Sequence, residues 1–575
     1  MEKNGAMEVV EEQSLGRVQL RSESGEIILV PKPSRDPNDP LNWSQPFKVY
    51  VAVVTCFGML MCTFLAAGPT VALVQIATDF SNGNPNLEAV IPQVAFFFTT
   101  SALTQGTGNL LWQPLINKYG RRPIYIISFA GYFATAIWCG ATSNFTSELV
   151  GRIFLGFFSG AGECLGPATI SDIFFLHERG TMMAMYNFAT GSGVSIGIII
   201  SGFIVVDNSW RVIYTVGAIM IGVLLVFIIF TVPETAYNRS YDDSEPGDIF
   251  DNKNNPYRLS LSIILNDAEK ARVQQYYDEN DRLAEMNNTE QNPVIQRLEQ
   301  RVRRLEATVL SNPQYSALNK PPKKSYWSKL SLFTGETYTA DSLWKMFIRP
   351  FGLVLMPPVM WATLVMSATI GFSVALSSTF ANDFARVYNF SAFQAGLGFF
   401  GSLIGGILAI PAGGPVGEAV ANYFTIRNRG IREPEFRLPA MAISMIAAPV
   451  ALILYGAGLE YKLPFMVPIF GLSLLTFSIG QGINISFVYT LDAYGPVRGE
   501  VTIAQLAFKS VIGFGLSATT NSWIAGSGEL VALSEMAAIT FFVLALWIPM
   551  FFWGARLRRW SLGWKVVSFV KWKEL

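Results

Sequence analysis

Charged side chains inside long apolar stretches are the residues of this chain best placed to do chemistry. Arg152 and Glu163 lie in one such stretch, and Lys509 lies deep in another. A charge within a membrane costs roughly 2.5–3.5 kcal/mol on insertion scales, so it is seldom kept without a role. A separation of eleven residues is close to three helical turns, which places Arg152 and Glu163 on one face about 16 Å apart. We therefore predict that both face a central cavity.

A lone carboxylate at this depth can bind and release a proton, because burial favours the neutral form of an acid. Glu163 is the first choice for this role, and it could equally bind an organic cation or do both in competition. The alternative is that Glu163 is locked in a buried pair with Lys509 or Arg152, since charges within membranes commonly pair.

Polar and aromatic side chains in other apolar stretches are candidates for the wall of such a cavity. Each amide alone is explained equally well by a hydrogen bond to a neighbouring helix. As a group they predict a pocket of mixed character, suited to an amphipathic organic molecule, including a cation. These predicted wall residues are Gln93, Thr104, Gln105, Tyr186, Asn187, Trp361, Gln481 and Asn484.

The elements that carry these residues are twelve long apolar stretches, six before Pro233 and six after Phe347. About 20 apolar residues of helix cross the hydrocarbon core of a bilayer. Half of the chain is hydrophobic (51%), a share that a water-soluble protein of 575 residues cannot bury in one core. The predicted fold is an all-α membrane protein of twelve transmembrane helices in two six-helix bundles. We place the starts of its spans near residues 48, 89, 123, 147, 184 and 211, and near residues 351, 394, 439, 464, 501 and 533.

Positive charge is distributed unevenly between the two sets of loops. With the N-terminus placed inside, the opposite loops hold only Arg211, Arg386 and Lys462, whereas the inner loops and the tail hold many more. Because positive charge in short loops stays cytoplasmic, we predict that both termini and the long middle segment lie in the cytosol. The expected location is the plasma membrane, which the chain crosses many times.

The middle segment is polar, rich in charge and interrupted by prolines, which is typical of a solvated linker. Leu298, Val302, Leu305 and Val309 recur at helical spacing within it, so we predict a short amphipathic helix, or a partly formed solvated one. The basic and aromatic run from Arg556 to Lys573 is predicted to lie on the inner leaflet. The predicted regions are a cytoplasmic N-terminal segment (1–47), a six-helix bundle (48–232), a cytoplasmic linker (233–346), a second bundle (347–555) and a cytoplasmic tail (556–575).

Composition excludes several classes of protein. A formal net charge of zero removes any argument for a nucleic-acid partner, and the single histidine, His177, rules out a multi-histidine metal site. No nucleophile and base pair, metal cluster or phosphate-binding loop is evident, so we expect neither an enzyme nor an ATP-driven pump. We expect a monomer in the lipid bilayer that uses no cofactor. The cysteines lie in apolar stretches and are expected to pack rather than to form disulfides; they are Cys56, Cys62, Cys139 and Cys164.

The loop after span 2 reads QPLINKYGRRP from Gln113 to Pro123. It resembles the loop signature of the major facilitator superfamily, in which a glycine and an aspartate stand where this chain has Gln113 and Asn117. In that family the loop latches the two six-helix halves together in the outward-facing state. The resemblance implies that Arg121 and Arg122 pair with acids at the inner end of span 4. The gating-loop residues implied in this way are Asn117, Lys118, Gly120, Arg121, Arg122, Asp172, Glu178 and Arg179.

Spans 4 and 5 carry further resemblance to this superfamily. Arg152, in the sequence Gly151–Gly156, matches the family's span-4 signature. Span 5 is similar to the signature of drug and proton antiporters: it keeps glycines at Gly193, Gly197 and Gly202, but Ile198 stands where the proline belongs. Residues 36–43, 232–235 and 428–438 resemble one fungal branch of the twelve-span drug and proton antiporters.

The resemblance implies secondary active transport by alternating access, driven by a proton gradient. The leading expectation is multidrug efflux by a proton antiporter, which exports a small amphipathic compound such as a drug, a toxin or a secondary metabolite. The missing span-5 proline keeps open a proton-coupled importer of an organic nutrient or a cation such as a polyamine. A membrane receptor or scaffold that transports nothing is the third alternative.

Overall fold

The computed structural model of this chain describes residues 36–81, 87–237, 341–494 and 497–564, together with residues 18–19, 31, 34, 324–333, 335 and 337–339. Within them, twelve long helices follow one another, six on each side of the middle segment. The first six are α1 (Gln45–Ala67), α2 (Leu87–Tyr119), α3 (Arg122–Gly140), α4 (Phe145–Ile173), α5 (Leu176–Asp207) and α6 (Arg211–Thr231). The second six are α7 (Pro357–Tyr388), α8 (Ala392–Gly413), α9 (Ala442–Glu460), α10 (Met466–Ala493), α11 (Arg498–Ser527) and α12 (Glu529–Ala545).

Shorter helices extend or precede several of these twelve. A 3₁₀ turn at Gly68–Ala72 and a helix at Leu73–Phe80 continue α1. The helix Leu343–Leu353 precedes α7, and Pro415–Arg427 continues α8. A 3₁₀ helix at Pro434–Met441 leads into α9, and Trp547–Leu562 follows α12. A 3₁₀ helix at Pro40–Asn42, a helical turn at Tyr326–Lys329 and the antiparallel pair of β1 (Val18–Gln19) with β2 (Ile431–Arg432) complete the described elements.

The predicted fold class is confirmed. Among the described residues, eleven helical stretches are long and apolar enough to cross a bilayer by length and composition. The long helix that is not among these eleven is α2. It is 33 residues long, or about 50 Å, and it carries Gln105, Asn109 and Gln113 along its length.

The predicted starts of the spans differ most from the structure at α5 and α7. α5 begins at Leu176 rather than near residue 184, because its first turns carry polar residues that an apolar window excludes. α7 begins at Pro357 rather than near residue 351, since proline suits the first turn of a helix and Leu343–Leu353 forms a separate helix.

Glycines bring the helices of the first half close together. A Cβ on Gly160 of α4 would meet the backbone carbonyl of Gln105 in α2. A Cβ on Gly193 or Gly197 of α5 would meet the backbone of α1, where the Phe64 oxygen would lie 2.7 Å from a Cβ on Gly197. Small residues are what allow helix backbones to approach in this way.

The two halves meet along two helix pairs, α2 with α11 and α5 with α8. At Gly106 of α2 an added Cβ would overlap Ser510 of α11. At Gly202 of α5 an added Cβ would lie 3.5 Å from the Cα of Gly396 in α8, so two bare backbones face one another there.

A second compact unit contains residues 32–43 and 237–328, of which the structure describes only part. The carboxylate of Asp39 is fully buried and accepts hydrogen bonds from the backbone N–H groups of Ser34 and Leu41, at 3.0 Å each. Tyr237 donates its hydroxyl proton to Asp36 at 2.9 Å. The motif at residues 36–43 therefore makes an ordered turn that bonds to Tyr237, six residues after the end of α6.

Two sequence expectations fall wholly or partly outside the described residues. The amphipathic helix expected at Leu298–Val309 lies outside them, as do residues 565–575 of the tail. The prediction that the run from Arg556 to Lys573 lies on the inner leaflet is wrong for Arg558, which is in the described part of the tail. This side chain is 3% exposed and forms two hydrogen bonds of 3.0 Å with Glu435, because the helix Trp547–Leu562 packs against the turn before α9.

Candidate functional site

A cavity of about 220 Å³ lies between the two halves. Eight of the twelve described helices contribute to its wall, namely α1, α2, α4 and α5 from the first half and α7, α8, α10 and α11 from the second. Most lining side chains are apolar. Its charged members among the described residues are Glu163 and Lys509.

Glu163 joins the two halves of the molecule. Lys509 of α11 donates a hydrogen bond to its Oε1 at 3.1 Å, and Asn109 of α2 donates to its Oε2 at 3.0 Å. The side chains of Glu163 and Lys509 are only 8% and 9% exposed. The pair was one of the two alternatives left open for Glu163, and it places an acid and a base from opposite halves in one cavity.

A proline sets the local structure around Glu163. Pro167 lies inside α4 and has no N–H, so the carbonyl of Glu163, four residues earlier, loses its helical partner. The hydroxyl of Tyr186 on α5 donates to this carbonyl at 3.2 Å. Tyr186 thereby connects α5 to α4 at the depth of the carboxylate, and its ring lines the cavity.

The prediction that Arg152 faces the cavity is wrong. Arg152 is fully buried within the first half, where its Nε bonds Glu148 at 3.2 Å and its Nη1 bonds the Leu65 carbonyl at 3.0 Å. The rings of Phe98 and Tyr214 lie 4.8 and 5.0 Å from the guanidinium. Phe98 itself lines the cavity, so its ring separates Arg152 from that space.

Three of the predicted wall residues line the cavity, namely Gln105, Tyr186 and Asn187. For two others on α2 the prediction is wrong. Gln93 is exposed, and Thr104 bonds the carbonyls of its own helix beside α4.

The prediction is also wrong for Trp361, Gln481 and Asn484, whose side chains are buried in the second half. Trp361 donates to the Val543 carbonyl of α12 at 3.1 Å. Gln481 donates to the Ala440 carbonyl at 2.7 Å and also bonds Ser444. Trp361 and Gln481 therefore satisfy their polar atoms against neighbouring helices, which was the competing interpretation of such residues.

Two sets of neutral hydrogen bonds also connect the halves. Asn187 of α5 donates to Asn484 of α10 at 3.2 Å, so Asn484 lies behind the wall and supports it. Ser195 of α5 donates to Ser402 of α8 at 3.0 Å, and Ser402 lies 2.7 Å from Thr476 of α10. The hydroxyls of Ser402 and Thr476 give the mostly apolar wall a polar strip.

The loop between α2 and α3 contains the ion pair expected for Arg121. Its Nε lies 2.8 Å from Asp172 at the end of α4. Gly120 has φ of +94°, a conformation that favours glycine, and an added Cβ would meet the Glu234 carboxylate. Glu178, the other expected acid, accepts a hydrogen bond from Gln45 at 3.1 Å.

Arg122 and Glu234 tie this loop to the end of α6. Glu234 accepts hydrogen bonds from the backbone N–H groups of Arg121 and Arg122, at 2.8 and 3.1 Å, where α3 begins. The buried guanidinium of Arg122 donates to the carbonyls of Ile228, Ile229 and Val232. Carbonyls at a helix end have no partner within the helix, so a cation there satisfies them.

The remaining gating-loop residues lie near the end of α2 and the start of α5. Lys118 accepts a hydrogen bond at its carbonyl from Tyr338 at 3.0 Å, and the buried Arg179 donates to the Ser171 carbonyl at 3.4 Å. Asn117 accepts a hydrogen bond from Gln113 at 2.9 Å.

Two important partners were absent from the sequence interpretation. Glu148 precedes Arg152 by four residues on one helix, and this spacing alone favours an ion pair. Asn109 lies four residues from both Gln105 and Gln113 in α2, and this spacing places the three amides on one ridge of the helix.

Comparison with known proteins agrees with this architecture. Residues 53–518 match the family described as Major Facilitator Superfamily. Protein HOL1 of Saccharomyces cerevisiae is 25% identical over 569 residues, which cover 96% of this chain and 93% of that protein. Efflux pump radE of Floropilus chiversii is 23% identical over 538 residues, covering 91% of this chain and 83% of that protein.

A solved structure shows the same fold. The proton:xylose symporter XylE of E. coli is similar with a TM-score of 0.55 and 14% identity, over 88% of this chain and 96% of that one. At this identity the likeness concerns the fold alone. Because the family match extends over most of the residues and the two six-helix halves enclose a cavity, the chain belongs to the major facilitator superfamily and is a multi-pass membrane transporter, not an enzyme.

Proposed function

We propose that this protein exports a small amphipathic organic compound in exchange for protons, by alternating access. The observation that carries the proposal is the buried pair of Glu163 and Lys509, which come from opposite halves and line the same cavity. The relative radE is named as an efflux pump, which favours export.

The chemistry of the cavity favours an amphipathic substrate. Its wall is mainly apolar and aromatic, with one carboxylate, one ammonium and a strip of hydroxyls and amides among the described residues. Binding pockets for small organic molecules combine an apolar wall with a few polar groups in this way. A drug, a toxin or a secondary metabolite of modest size fits this description, including one that carries a positive charge.

Proton binding at Glu163 would weaken the contact between the halves. A protonated Glu163 leaves the Lys509 ammonium buried without its counter-charge, and removing one partner of a buried pair costs about 3–5 kcal/mol. That cost falls if the halves tilt and water reaches the ammonium. An organic cation at Glu163 would compete with both the proton and Lys509, and this competition would make the two transported species exchange.

The distribution of positive charge in the loops indicates the orientation of the chain in the membrane. We place the termini and the middle segment in the cytosol, because arginines and lysines concentrate in the loops on that side. We also propose that the protein acts as a monomer in the plasma membrane. A proton gradient would supply the energy, with no bound cofactor.

A second candidate is proton-coupled import of an organic nutrient or a cation such as a polyamine. The observation that favours it is α5, a helix of 32 residues in which Ile198 replaces the proline of the antiporter signature. The direction of net flux in a fixed pH gradient separates import from export.

The test uses the full chain in sealed membrane vesicles with a set pH difference. We would measure the uptake and efflux of rhodamine 6G, tetraphenylphosphonium and spermidine by the parent protein, by Glu163→Gln and by Glu460→Gln. The last variant is a matched control, because Glu460 is an exposed acid at the end of α9. We expect gradient-driven flux of at least one probe in the parent and in Glu460→Gln and none in Glu163→Gln. A Glu163→Gln protein whose transport keeps the parent's pH dependence would contradict the coupling role.

A further inference from the structure

A ridge of polar side chains runs along α2. It consists of Gln105, Asn109, Gln113 and Asn117, each four residues from the next, and we call it the amide ridge. Residues four apart are neighbours on a helix surface, and the ridge covers about 18 Å along the axis. Gln105 lines the cavity, Asn109 bonds Glu163, and Asn117 is partly exposed at the last turn of α2. The amide ridge therefore extends from the Glu163 carboxylate to the partly exposed end of α2 at Asn117.

Several polar atoms of the amide ridge are buried without a partner among the described residues. These atoms are the Nε2 of Gln105, the Oδ1 of Asn109 and the Oε1 of Gln113. The three side chains are 6%, 0% and 3% exposed. An unsatisfied buried polar atom costs about 1–3 kcal/mol, and buried polar groups are ordinarily satisfied by protein or by ordered water.

The ridge lies where the halves meet. A Cβ on Gly499, in the first turn of α11, would lie 3.1 Å from the Nε2 of Gln113 and 3.2 Å from the Nδ2 of Asn117. Further along the same pair of helices, Lys509 of α11 meets Glu163. One helix from each half therefore borders the whole route from Asn117 to Glu163.

We propose that the amide ridge holds a line of water molecules that carries protons between the face at Asn117 and Glu163. This proposal rests on the proton coupling proposed above and adds the route. A hydronium ion at Asn117 passes one proton along the line, and the last water protonates the Oε2 of Glu163. The carboxylate changes from −1 to neutral, and no electrons move. The amides neither gain nor lose protons; they orient the waters, and the free Oδ1 of Asn109 can accept from the new hydroxyl after its amide rotates.

The polar and ionisable groups around Glu163 come from several helices. Lys509 of α11 and Asn109 of α2 bond its carboxylate, and Tyr186 of α5 bonds its carbonyl. Cys62 of α1 and Cys164 of α4 lie close enough to interact electrostatically with it. A pH-dependent signal must therefore be assigned to Glu163 by its absence in Glu163→Gln.

The first test follows proton uptake by the purified full-length protein after a rapid drop in pH, with the dye pyranine. We expect the time course of proton uptake to contain a kinetic phase that is absent in Glu163→Gln. Gln113→Leu should slow this phase by about 10-fold or more at unchanged amplitude, because one hydrogen-bonding site for water is lost. Gln113→Asn, which keeps an amide, should stay close to the parent rate. Thr107→Val removes a hydroxyl from α2 away from the ridge, where Thr107 bonds its own helix, and should leave the rate unchanged.

The outcomes separate the two proposals. If the parent and Glu163→Gln take up protons identically, the proposed coupling by Glu163 fails. If the phase depends on Glu163 but Gln113→Leu matches the parent rate, the coupling stands and the amide ridge is not the route.

A second test measures hydration without any transport step. Gln113→Cys and Ile116→Cys would be exposed to a water-soluble, charged methanethiosulfonate reagent, with labelling read by peptide mass spectrometry. Both positions are buried, at 3% and 0% exposure, but only Gln113 belongs to the ridge. We expect Gln113→Cys to react about 10-fold faster or more, since the reagent needs water and a thiolate. Equal rates in two proteins that elute as folded species would overturn the proposal.

Discussion

Two ion pairs on α4 differ in what they connect. Arg152 and Glu148 belong to the same helix and are buried within the first half, at 0% and 1% exposure. Glu163 and Lys509 come from α4 and α11, lie in the cavity and join the two halves. Arg152 and Glu163 share a helix face by spacing, yet only the second meets the other half.

If the halves move as proposed above, the position of an ion pair relative to the interface between them matters more than its depth in the membrane. The Glu148 carboxylate is held by Arg152, Thr142 and Tyr214, all from the first half. A tilt of the halves would leave these contacts intact. The Glu163 carboxylate is held partly by Lys509 of the other half, so the same motion would break this contact. The pair of Arg152 and Glu148 stabilises the first half, whereas the pair of Glu163 and Lys509 depends on how the two halves are positioned.

The largest effect is expected from Arg152→Met. It leaves the Glu148 carboxylate buried without its cation, which should cost about 3–5 kcal/mol of folding free energy. The measurement is the thermal unfolding midpoint and the yield of monodisperse protein in detergent. The double variant Glu148→Gln with Arg152→Met should recover much of the loss, because no unpaired charge remains. An Arg152→Met protein as stable as the parent would show that the pair does not hold the first half together.

A smaller loss of stability but a complete loss of coupling is expected from Lys509→Met. Glu163 lines the cavity, where protonation or water can compensate for the missing ammonium, so the midpoint should fall by less than in Arg152→Met. Gradient-driven flux of the vesicle probes should disappear, since the contact between the halves no longer depends on the proton. The charge-reversed double variant, Glu163→Lys with Lys509→Glu, should regain stability. Flux at the parent level in Lys509→Met would contradict the distinction between the two pairs.

The smallest effect is expected from Tyr186→Phe. It removes the hydroxyl that bonds the Glu163 carbonyl, for a loss of about 1 kcal/mol. Pro167→Ala restores an N–H that can bond this carbonyl within α4, so the double variant should lose less than the two single losses combined. Additive losses in thermal unfolding would show that Tyr186 does not replace the helical bond that Pro167 removes.

The sequence predicted the class of fold because the signal is strong and local. Long apolar stretches must be helical in lipid, and the starts of most helices follow from where such stretches begin. It failed where polar residues belong to a helix, as at the first turns of α5. An apolar window cannot recognise these residues.

The site was predictable only in part, because spacing along one helix does not say which helix lies opposite. Arg152 was placed in the cavity by its spacing from Glu163, but the ring of Phe98 lies between Arg152 and the cavity. Lys509 was recognised as a partner since it is a lysine deep within a span. Trp361 and Gln481 were assigned to the wall by residue type alone, and their polar atoms bond neighbouring helices instead.

The facing glycines of α5 and α8 have a mechanical consequence. At Gly202 and Gly396 the backbones of α5 and α8 face one another without side chains between them, and the rings of Phe203 and Phe393 pack beside this contact with centroids 4.8 Å apart. Because no side chain lies between the two glycines, we expect the angle between α5 and α8 to change more easily at this point than where side chains pack between the helices. A larger residue at either position would place a side chain between α5 and α8, and we expect it to restrict the angle between the two halves.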